Sequence, residues 1–133
     1  MESITLDEAG VKKILLAFEK KTTKNQELRI KFPDQPEKFM ESEMELHDAV
    51  QEMLHIATVP NLYPILVELN CVPSMLGLLS HDNTDIAVGV VNLLQELTDV
   101  DTLTESEDGA NALIEALVER QVSNIAPIFK EWF

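Results

Sequence analysis

Three histidines are the residues of this chain whose chemistry most readily suggests a metal site or a proton-transfer site. His47 and His55 are eight residues apart, about two helical turns, so both side chains could lie loosely on one side of a helix. A zinc site needs three or four ligands, and no close third ligand is evident. His81 stands in Ser80-His81-Asp82, but a catalytic triad is assembled from separate elements, not from adjacent residues. We therefore interpret the first two as surface residues of a helix and the third as part of a turn, and we predict no metal site and no catalytic residue.

The acidic segment 99–109 resembles a calcium-binding loop in composition but not in pattern. Leu103 stands where an oxygen ligand is needed, and Thr104 stands where the loop needs glycine. The four glycines of the chain are not clustered, so a phosphate-binding loop is not predicted either. Thr102 and Thr104 each precede an acidic residue by three positions, which leaves phosphorylation by an acid-directed kinase as an open hypothesis. We predict no cofactor, and we do not expect an enzyme.

Charge is distributed very unevenly along the chain, whose formal net charge is -14. Residues 1–38 carry eight basic and seven acidic residues, a net of +1, whereas residues 39–133 carry two basic and seventeen acidic residues, a net of -15. An anionic surface repels phosphate backbones and attracts cationic partners, so we expect basic protein segments as partners and no direct nucleic-acid binding. The same acidity also keeps a chain soluble, so charge by itself leaves both interpretations open.

Cys71 is the only cysteine, which excludes an internal disulfide and favours a reducing compartment, the nucleus or the cytosol. No apolar run approaches the roughly 20 residues needed to span a bilayer. The first ten residues lack the basic and then apolar layout of a signal peptide. We therefore expect no membrane partner.

Residues 1–59 are predicted to form N-terminal capping helices. Apolar residues at spacings of three and four predict a first helix over Asp7 to Lys21. Thr23 to Gln26 has the pattern of a capping box and predicts the start of a second helix, which ends at Phe32 because a proline follows it. Ser42 to Glu45 is a second capping-box pattern and predicts the start of a third helix.

Residues 60–100 are predicted to form one complete repeat of the armadillo type. Three short helices with joints of two or three residues fit within about 40 residues, which is typical of that repeat. Asn70 suits the left-handed conformation that ends the first helix, and Asn83 suits the N-cap of the third. Because such a unit cannot cover its own apolar face, it must stack on neighbours. The predicted fold class is all-α, an armadillo/HEAT-like α-solenoid.

The third helix of this repeat carries a polar stripe that would line the concave surface of a stacked solenoid. Its members, spaced by three or four residues, are Asp85, Gly89, Asn92, Glu96 and Asp99. We predict that a basic partner binds at Asp85, Asn92, Glu96 and Asp99. We predict a second acidic patch on the outer face of the preceding helix, formed by Glu43, Glu45, Asp48 and Glu52.

Residues 101–133 are predicted to form a partial following repeat with a divergent end. A helix is expected from Ala110 to Arg120, and three large aromatic residues come after it without a further helix to cover them. We accordingly expect a chain that is truncated or alternatively ended. The apolar residues of this end predict a self-association module, with a homodimer as its product: Leu113, Leu117, Phe129, Trp132 and Phe133.

Two long segments of the chain carry a family resemblance: KNQELRIKFPDQPEKFMESEMELHDAVQEMLHIATVPNLYPILVELN and LLSHDNTDIAVGVVNLLQELTDVDTLTESEDGANALIEALV. They closely resemble the N-terminal part of the beta-catenin-like family of armadillo proteins, with PEKFMESE and LLQELTD as the most distinctive stretches. The resemblance covers about Val11 to Gln121 and ends at Val122 to Phe133, where family members continue through many further repeats.

The resemblance implies a nuclear armadillo-like protein, with the cytoplasm as a second location, that associates with the spliceosome through the nineteen complex. It also implies contact with the basic localisation signal of the cell-division-cycle-five-like splicing factor and adaptor binding of other basic signals, including that of the antibody-diversifying deaminase. Armadillo importers hold such peptides with Trp and Asn, and aligned with that pattern Asn92 takes the Trp position and Glu96 the Asn position. The aromatic slot for a lysine stem is therefore missing, so importer-type recognition is not expected here.

The resulting prediction is a non-catalytic scaffold or adaptor of mRNA splicing and mRNA processing that binds basic segments of splicing-associated proteins through an acidic surface. The alternative is the self-association module described above.

Overall fold

The computed structural model describes residues 6–119, and within this range every element of regular secondary structure is a helix, which confirms the all-α class. The α-helices are α1 (Glu8–Lys31), α2 (Met40–Met53), α3 (Tyr63–Glu68), α4 (Cys71–Gly77), α5 (Thr84–Leu97), α6 (Val100–Leu103) and α7 (Glu107–Glu119). Short 3-10 helices occupy Pro36–Lys38, Leu54–Thr58, Pro60–Leu62 and Leu78–Ser80.

No single helix among residues 6–119 is both long and apolar enough to cross a membrane. The segments Pro60–Glu68 and Cys71–Ser80 reach that length and apolar content only when taken together, and they are bent by 86° at the break between them.

Helix α1 has 24 residues and is continuous, whereas the sequence predicted that one helix ends at Lys21 and another begins near Thr23. Asp7 caps its start by accepting a hydrogen bond from the Gly10 amide at 2.8 Å. The capping box predicted at Thr23 to Gln26 is wrong, because Asn25 is fully buried and its amide bonds to other elements instead of the backbone of a new helix. No glycine or proline stands in this stretch, so the helix runs through it.

The start of α2 also differs from the prediction. The Ser42 hydroxyl donates to the Phe39 carbonyl at 2.7 Å, and the Glu43 carboxylate faces α1. The predicted capping box at Ser42 to Glu45 therefore does not form, and α2 begins at Met40 without a side-chain cap. A tertiary contact with α1 satisfies these polar groups in place of the local cap.

The predicted three-helix unit is present as α3, α4 and α5. Asn70 has a φ of 61° and separates α3 from α4, as predicted, and Asn83 caps α5 by accepting from the Asp85 amide at 2.9 Å. The Tyr63 hydroxyl donates to the Leu97 carbonyl at 2.9 Å and joins the start of α3 to the end of α5. One cluster of buried apolar residues runs from α1 to α7, so the unit stacks on α1 and α2 on one side and on α7 on the other.

Helix α7, the last one among residues 6–119, begins at Glu107, three residues before the predicted start. Leu113 is fully buried and Leu117 is 9% exposed, because α7 packs its apolar side on α3. These two residues are therefore core residues, and their assignment to an open self-association surface is wrong. The other members of that predicted surface, Phe129, Trp132 and Phe133, lie outside the residues that the structure describes.

Candidate functional site

The candidate site is the face shared by α2 and α5, which lie side by side and run in the same direction. Near the start of both helices, Glu43 Oε1 accepts from Asn83 Nδ2 at 2.8 Å. Further along, Gly89 faces Val50 and Gln51; a Cβ atom added at Gly89 would lie 3.4 Å from Val50 Cγ1. The start of α2 thus contacts the start of α5, and a later part of α2 contacts a later part of α5. The two helices are therefore parallel, as the third helices of successive armadillo-type repeats would be.

The two helices also correspond in sequence at an offset of 44 residues. Gln51-Glu52-Met53 of α2 matches Gln95-Glu96-Leu97 of α5, and Asp48 matches Asn92. The buried positions follow the same offset: Leu46 with Val90, Ala49 with Leu93, Val50 with Leu94, and Met53 with Leu97. An offset of 44 lies within the roughly 40–47 residues of an armadillo repeat, so α2 is the equivalent of α5 in the preceding layer.

Sequence reasoning missed this correspondence because it treated α2 as a capping helix. The Gln-Glu-apolar match at positions 51 and 95 was the available signal.

Most of the predicted contact residues lie on the surface of this face. Asp85, Asn92, Glu96 and Asp99 are exposed on the α5 side. Asp48 and Glu52 are exposed on α2, and Glu45 is half-buried. Gly89, which the sequence placed in the same stripe, is buried, because α2 approaches α5 at this point.

Asp99 has a structural role in addition to its exposure. Its Oδ1 atom accepts from the Asp101 amide at 2.9 Å and from the Thr102 amide at 3.4 Å, which caps the short helix α6. A partner that binds the Asp99 carboxylate would therefore compete with this cap. A partner that binds the carboxylates of Asp85 or Asp48 would not.

Glu43 does not belong to an exposed acidic patch, and its assignment as a contact residue is wrong. It is 7% exposed, and its carboxylate accepts hydrogen bonds from Arg29, Asn25 and Asn83. Burial alone would raise the pKa of Glu43, but these hydrogen bonds and the charge of Arg29 outweigh it and hold the pKa below its ordinary value. Glu43 is therefore an ionised structural residue that joins α1, α2 and the start of α5.

His81 completes a polar corner around the buried side chains of Asn25 and Glu43. With the partly buried Arg29, His81 and Asn83, these residues form what we call the buried polar corner. His81 Nε2 lies 2.7 Å from Asn25 Oδ1, and the Asn83 amide donates to His81 Nδ1 at 2.9 Å. Because one nitrogen accepts and the other faces a carbonyl oxygen, the ring is neutral with its proton on Nε2. Burial and then the charge of Arg29 lower the pKa of His81.

The side chains of Ser80, His81 and Asp82 have the residue types of a catalytic triad, but each is used in a structural contact. Asp82 accepts from Arg29 at 3.3 Å, and the Ser80 hydroxyl donates to the Gly77 carbonyl at 3.2 Å, so each side chain serves the turn between α4 and α5. Within residues 6–119, no group of three His, Cys, Asp or Glu side chains is placed to hold a metal ion. What the corner does is fix the start of α5 against α2.

A groove of about 270 Å³ opens between the first turns of α2 and α5, beside this corner. Besides Glu43 and Asn83 of the corner, its lining residues are Met40, Met44, His47, Asp48, Asp85 and Ile86. Met40 and Met44 are 58% and 65% exposed, although both are large apolar residues. We call this feature the methionine groove. Since Asp48 and Asp85 both line it, the two predicted acidic sets meet there in one surface.

Comparison with known proteins identifies relatives for nearly the whole chain. The family described as "Catenin-beta-like, Arm-motif containing nuclear" matches residues 1–126. The chain is 68% identical to human "Beta-catenin-like protein 1" over 117 residues, which cover 88% of this chain and 21% of that protein. It is 67% identical to the bovine protein of the same name over 117 residues, again 88% of this chain and 21% of that protein.

A more distant relative extends the similarity. The chain is 36% identical over 118 residues to "Beta-catenin-like protein 1 homolog" of Schizosaccharomyces pombe, covering 89% of this chain and 20% of that protein. The chain thus spans about one fifth of the length of these relatives.

Proposed function

The chain belongs to the catenin-beta-like, armadillo-motif family, and on that premise we propose that it is part of a non-catalytic adaptor of a spliceosome-associated complex. In this proposal it binds basic, localisation-signal-like segments of partner proteins, such as nineteen-complex components, through the shared face of α2 and α5. The protein acts in the nucleus, with the cytoplasm as a second location.

The observation that carries the proposal is the pair of exposed polar stripes on two parallel helices. Asp48 and Glu52 on α2 correspond to Asn92 and Glu96 on α5, and all four are exposed. An extended or helical cationic segment lying across both helices would therefore meet carboxylates and amides from two successive repeats. Asp85 extends the same surface at the start of α5.

Magnitudes decide what kind of binding such a face can provide. An exposed ion pair contributes only about 0.2–1 kcal/mol, and ions screen it over roughly 8–10 Å at physiological salt. Several pairs must act together, so binding depends on the number of basic residues and weakens as salt rises. Recognition of this kind needs no aromatic slot for each lysine, which agrees with Asn92 at the position that importers give to Trp.

The test is a fluorescence-anisotropy titration of the 133-residue chain with a lysine-rich peptide at about 50 and 200 mM salt, on either side of the physiological screening range. A quadruple variant, Asp48→Asn, Glu52→Gln, Asp85→Asn and Glu96→Gln, removes charge from the proposed face. A matched variant removes four exposed carboxylates elsewhere: Glu27→Gln, Asp34→Asn, Glu37→Gln and Glu115→Gln.

We expect binding at low salt, weaker binding at the higher salt, and a loss that is much larger for the variant of the proposed face than for the matched variant. Absence of binding at both salt concentrations would overturn the proposal. Equal losses in the two variants would show that net charge, and not this face, attracts the peptide.

A further inference from the structure

The methionine groove contains exposed apolar residues, which the binding of a basic segment by charge attraction does not require. Met40 and Met44 are more than half exposed on the first turns of α2, where lysine, glutamate or glutamine would be the ordinary surface residue. Two exposed methionines beside one depression form an apolar spot on an otherwise acidic face. Methionine is flexible and polarisable, and proteins use it where a binding surface must adapt to differing side chains.

We propose that the methionine groove receives one apolar side chain of the basic segment that binds the acidic face, so that the recognised segment is basic residues flanking an apolar anchor. This inference rests on the proposed function and specifies its ligand. The exposed side chains of Met40 and Met44 provide the apolar surface, and the buried Ile86 lies behind it in the lining of the groove.

Charge complementarity selects a basic segment as the occupant. Asp48 and Asp85 line the groove and are exposed, and none of the ion pairs formed within residues 6–119 involves either of them. Among the described residues, no lysine or arginine lines the groove. A cationic residue on either side of the anchor would find an available carboxylate, whereas an anionic segment would be repelled.

The groove is formed before any partner arrives. The hydrogen bond between Glu43 and Asn83 joins its two walls at the buried polar corner, and Asn83 also caps α5. Because the walls are already joined, seating a side chain does not require the starts of α2 and α5 to be brought together. Binding at a preorganised site loses less affinity to conformational ordering.

The experiment titrates the 133-residue chain with three peptides of equal length. The first is lysine-rich with one central leucine, the second replaces that leucine with alanine, and the third keeps the leucine but replaces the lysines with serine. Each is measured against the wild type, against Met44→Gln in the groove, and against Ile30→Gln as a control. Ile30 is 81% exposed on α1, against 65% for Met44, so its replacement removes an even more exposed apolar residue outside the groove.

We expect the leucine peptide to bind the wild type about tenfold more tightly than the alanine peptide, the ratio that corresponds to 1.4 kcal/mol. We expect this ratio to fall towards one in Met44→Gln and to remain in Ile30→Gln. The serine peptide should bind far more weakly than either lysine-rich peptide.

A second readout locates the anchor directly. In a sample with ¹³C-labelled methionine methyl groups, the leucine peptide should shift the signals of the exposed Met40 and Met44 and leave those of the buried Met53 and Met75 unchanged. The Met44→Gln spectrum assigns one of the two exposed signals. The alanine peptide should shift them much less.

The outcomes separate the two proposals. Equal affinity of the leucine and alanine peptides would overturn the anchor and leave the proposed function standing, whereas no binding of either would end both. Equal binding of the serine peptide would show an uncharged apolar occupant and contradict a basic segment. A dimer that sedimentation detects without peptide, and that Met44→Gln dissociates, would make a second copy of the chain the occupant and also overturn the inference.

Discussion

Two carboxylates on the same helix, nine residues apart, have opposite environments. Glu43 is buried and bonded to α1 and to the turn before α5, whereas Glu52 is 61% exposed at its side chain and lies 3.8 Å from the similarly exposed His55. Both are glutamates on α2, and the sequence placed both in one acidic patch. The difference shows that residue type sets what a side chain can do, while the packing of neighbouring helices decides whether it joins elements or stays exposed.

The same contrast holds between the buried polar corner and the open face of α2 and α5. In the corner, Arg29 lies over the Phe39 ring at 4.4 Å and also bonds to Glu43, so its charge is partly buried and paired. On the open face, the carboxylates of Asp48 and Asp85 are exposed. One region should therefore govern stability and the other binding, and variants can separate them.

Removing the carboxylate of Glu43 should have the largest effect on stability. Glu43→Ala leaves Arg29, Asn25 and Asn83 without their shared acceptor. Because the Arg29 side chain is 26% exposed, the cost lies at the lower end of that for a buried charge pair, about 3 kcal/mol. Urea unfolding followed by circular dichroism measures the free energy of unfolding. Glu52→Ala is the control and should change it by less than about 0.5 kcal/mol. If both variants unfolded at the same urea concentration, the contrast between corner and face would be lost.

Replacing Gly89 should have a smaller effect that reports how closely α2 and α5 approach. A Cβ atom at position 89 would already lie 3.4 Å from Val50 Cγ1, and Gly89→Val adds two methyl groups beyond that Cβ. Overpacking of this kind costs about 1–3 kcal/mol. Gly77→Ala is the opposite control: nothing lies within 4 Å of its added Cβ, so helix propensity should stabilise the chain by about 0.5 kcal/mol. The same unfolding assay compares the two. A neutral Gly89→Val would mean that the helices lie further apart than described.

The pH dependence of stability should show the smallest effect and isolates His81. Its pKa in the folded chain lies below 6.5, so the unfolded chain binds more protons as pH falls through 6.5 and stability decreases there. Protonation would also set a second donor at Nδ1 against the Asn83 amide. The lowered pKa of Glu43 acts in the same direction, but only below about pH 4.5.

The measurement is the free energy of urea unfolding at pH 7.5 and pH 5.5. We expect a decrease in the wild type and a much smaller decrease in His81→Asn, whose side-chain oxygen can still accept from the Asn83 amide. His55→Gln, which changes a histidine exposed at the surface, should retain the decrease. An unchanged decrease in His81→Asn would assign the titration to other groups.

The sequence by itself determined the all-α class, the three-helix unit, the helix end at Asn70 and the helix cap at Asn83. These follow from apolar spacing and from local backbone preferences, which act within a few residues. Asn70 and Asn83 behave as predicted because their conformations depend on the adjacent chain. The exposure of Asp85, Asn92 and Glu96 also followed from helical spacing, since the opposite side of α5 is apolar.

Tertiary structure alone decided the polar residues that local patterns had assigned to caps and surface. Asn25, Ser42 and Glu43 had the letters of capping boxes or of an acidic patch, but they bond to one another between α1 and α2. Leu113 is a core residue because α7 packs against α3 and the segment before it. Periodicity tells which residues share a side of a helix, but not which helix will lie against that side; that depends on contacts between residues distant in the chain.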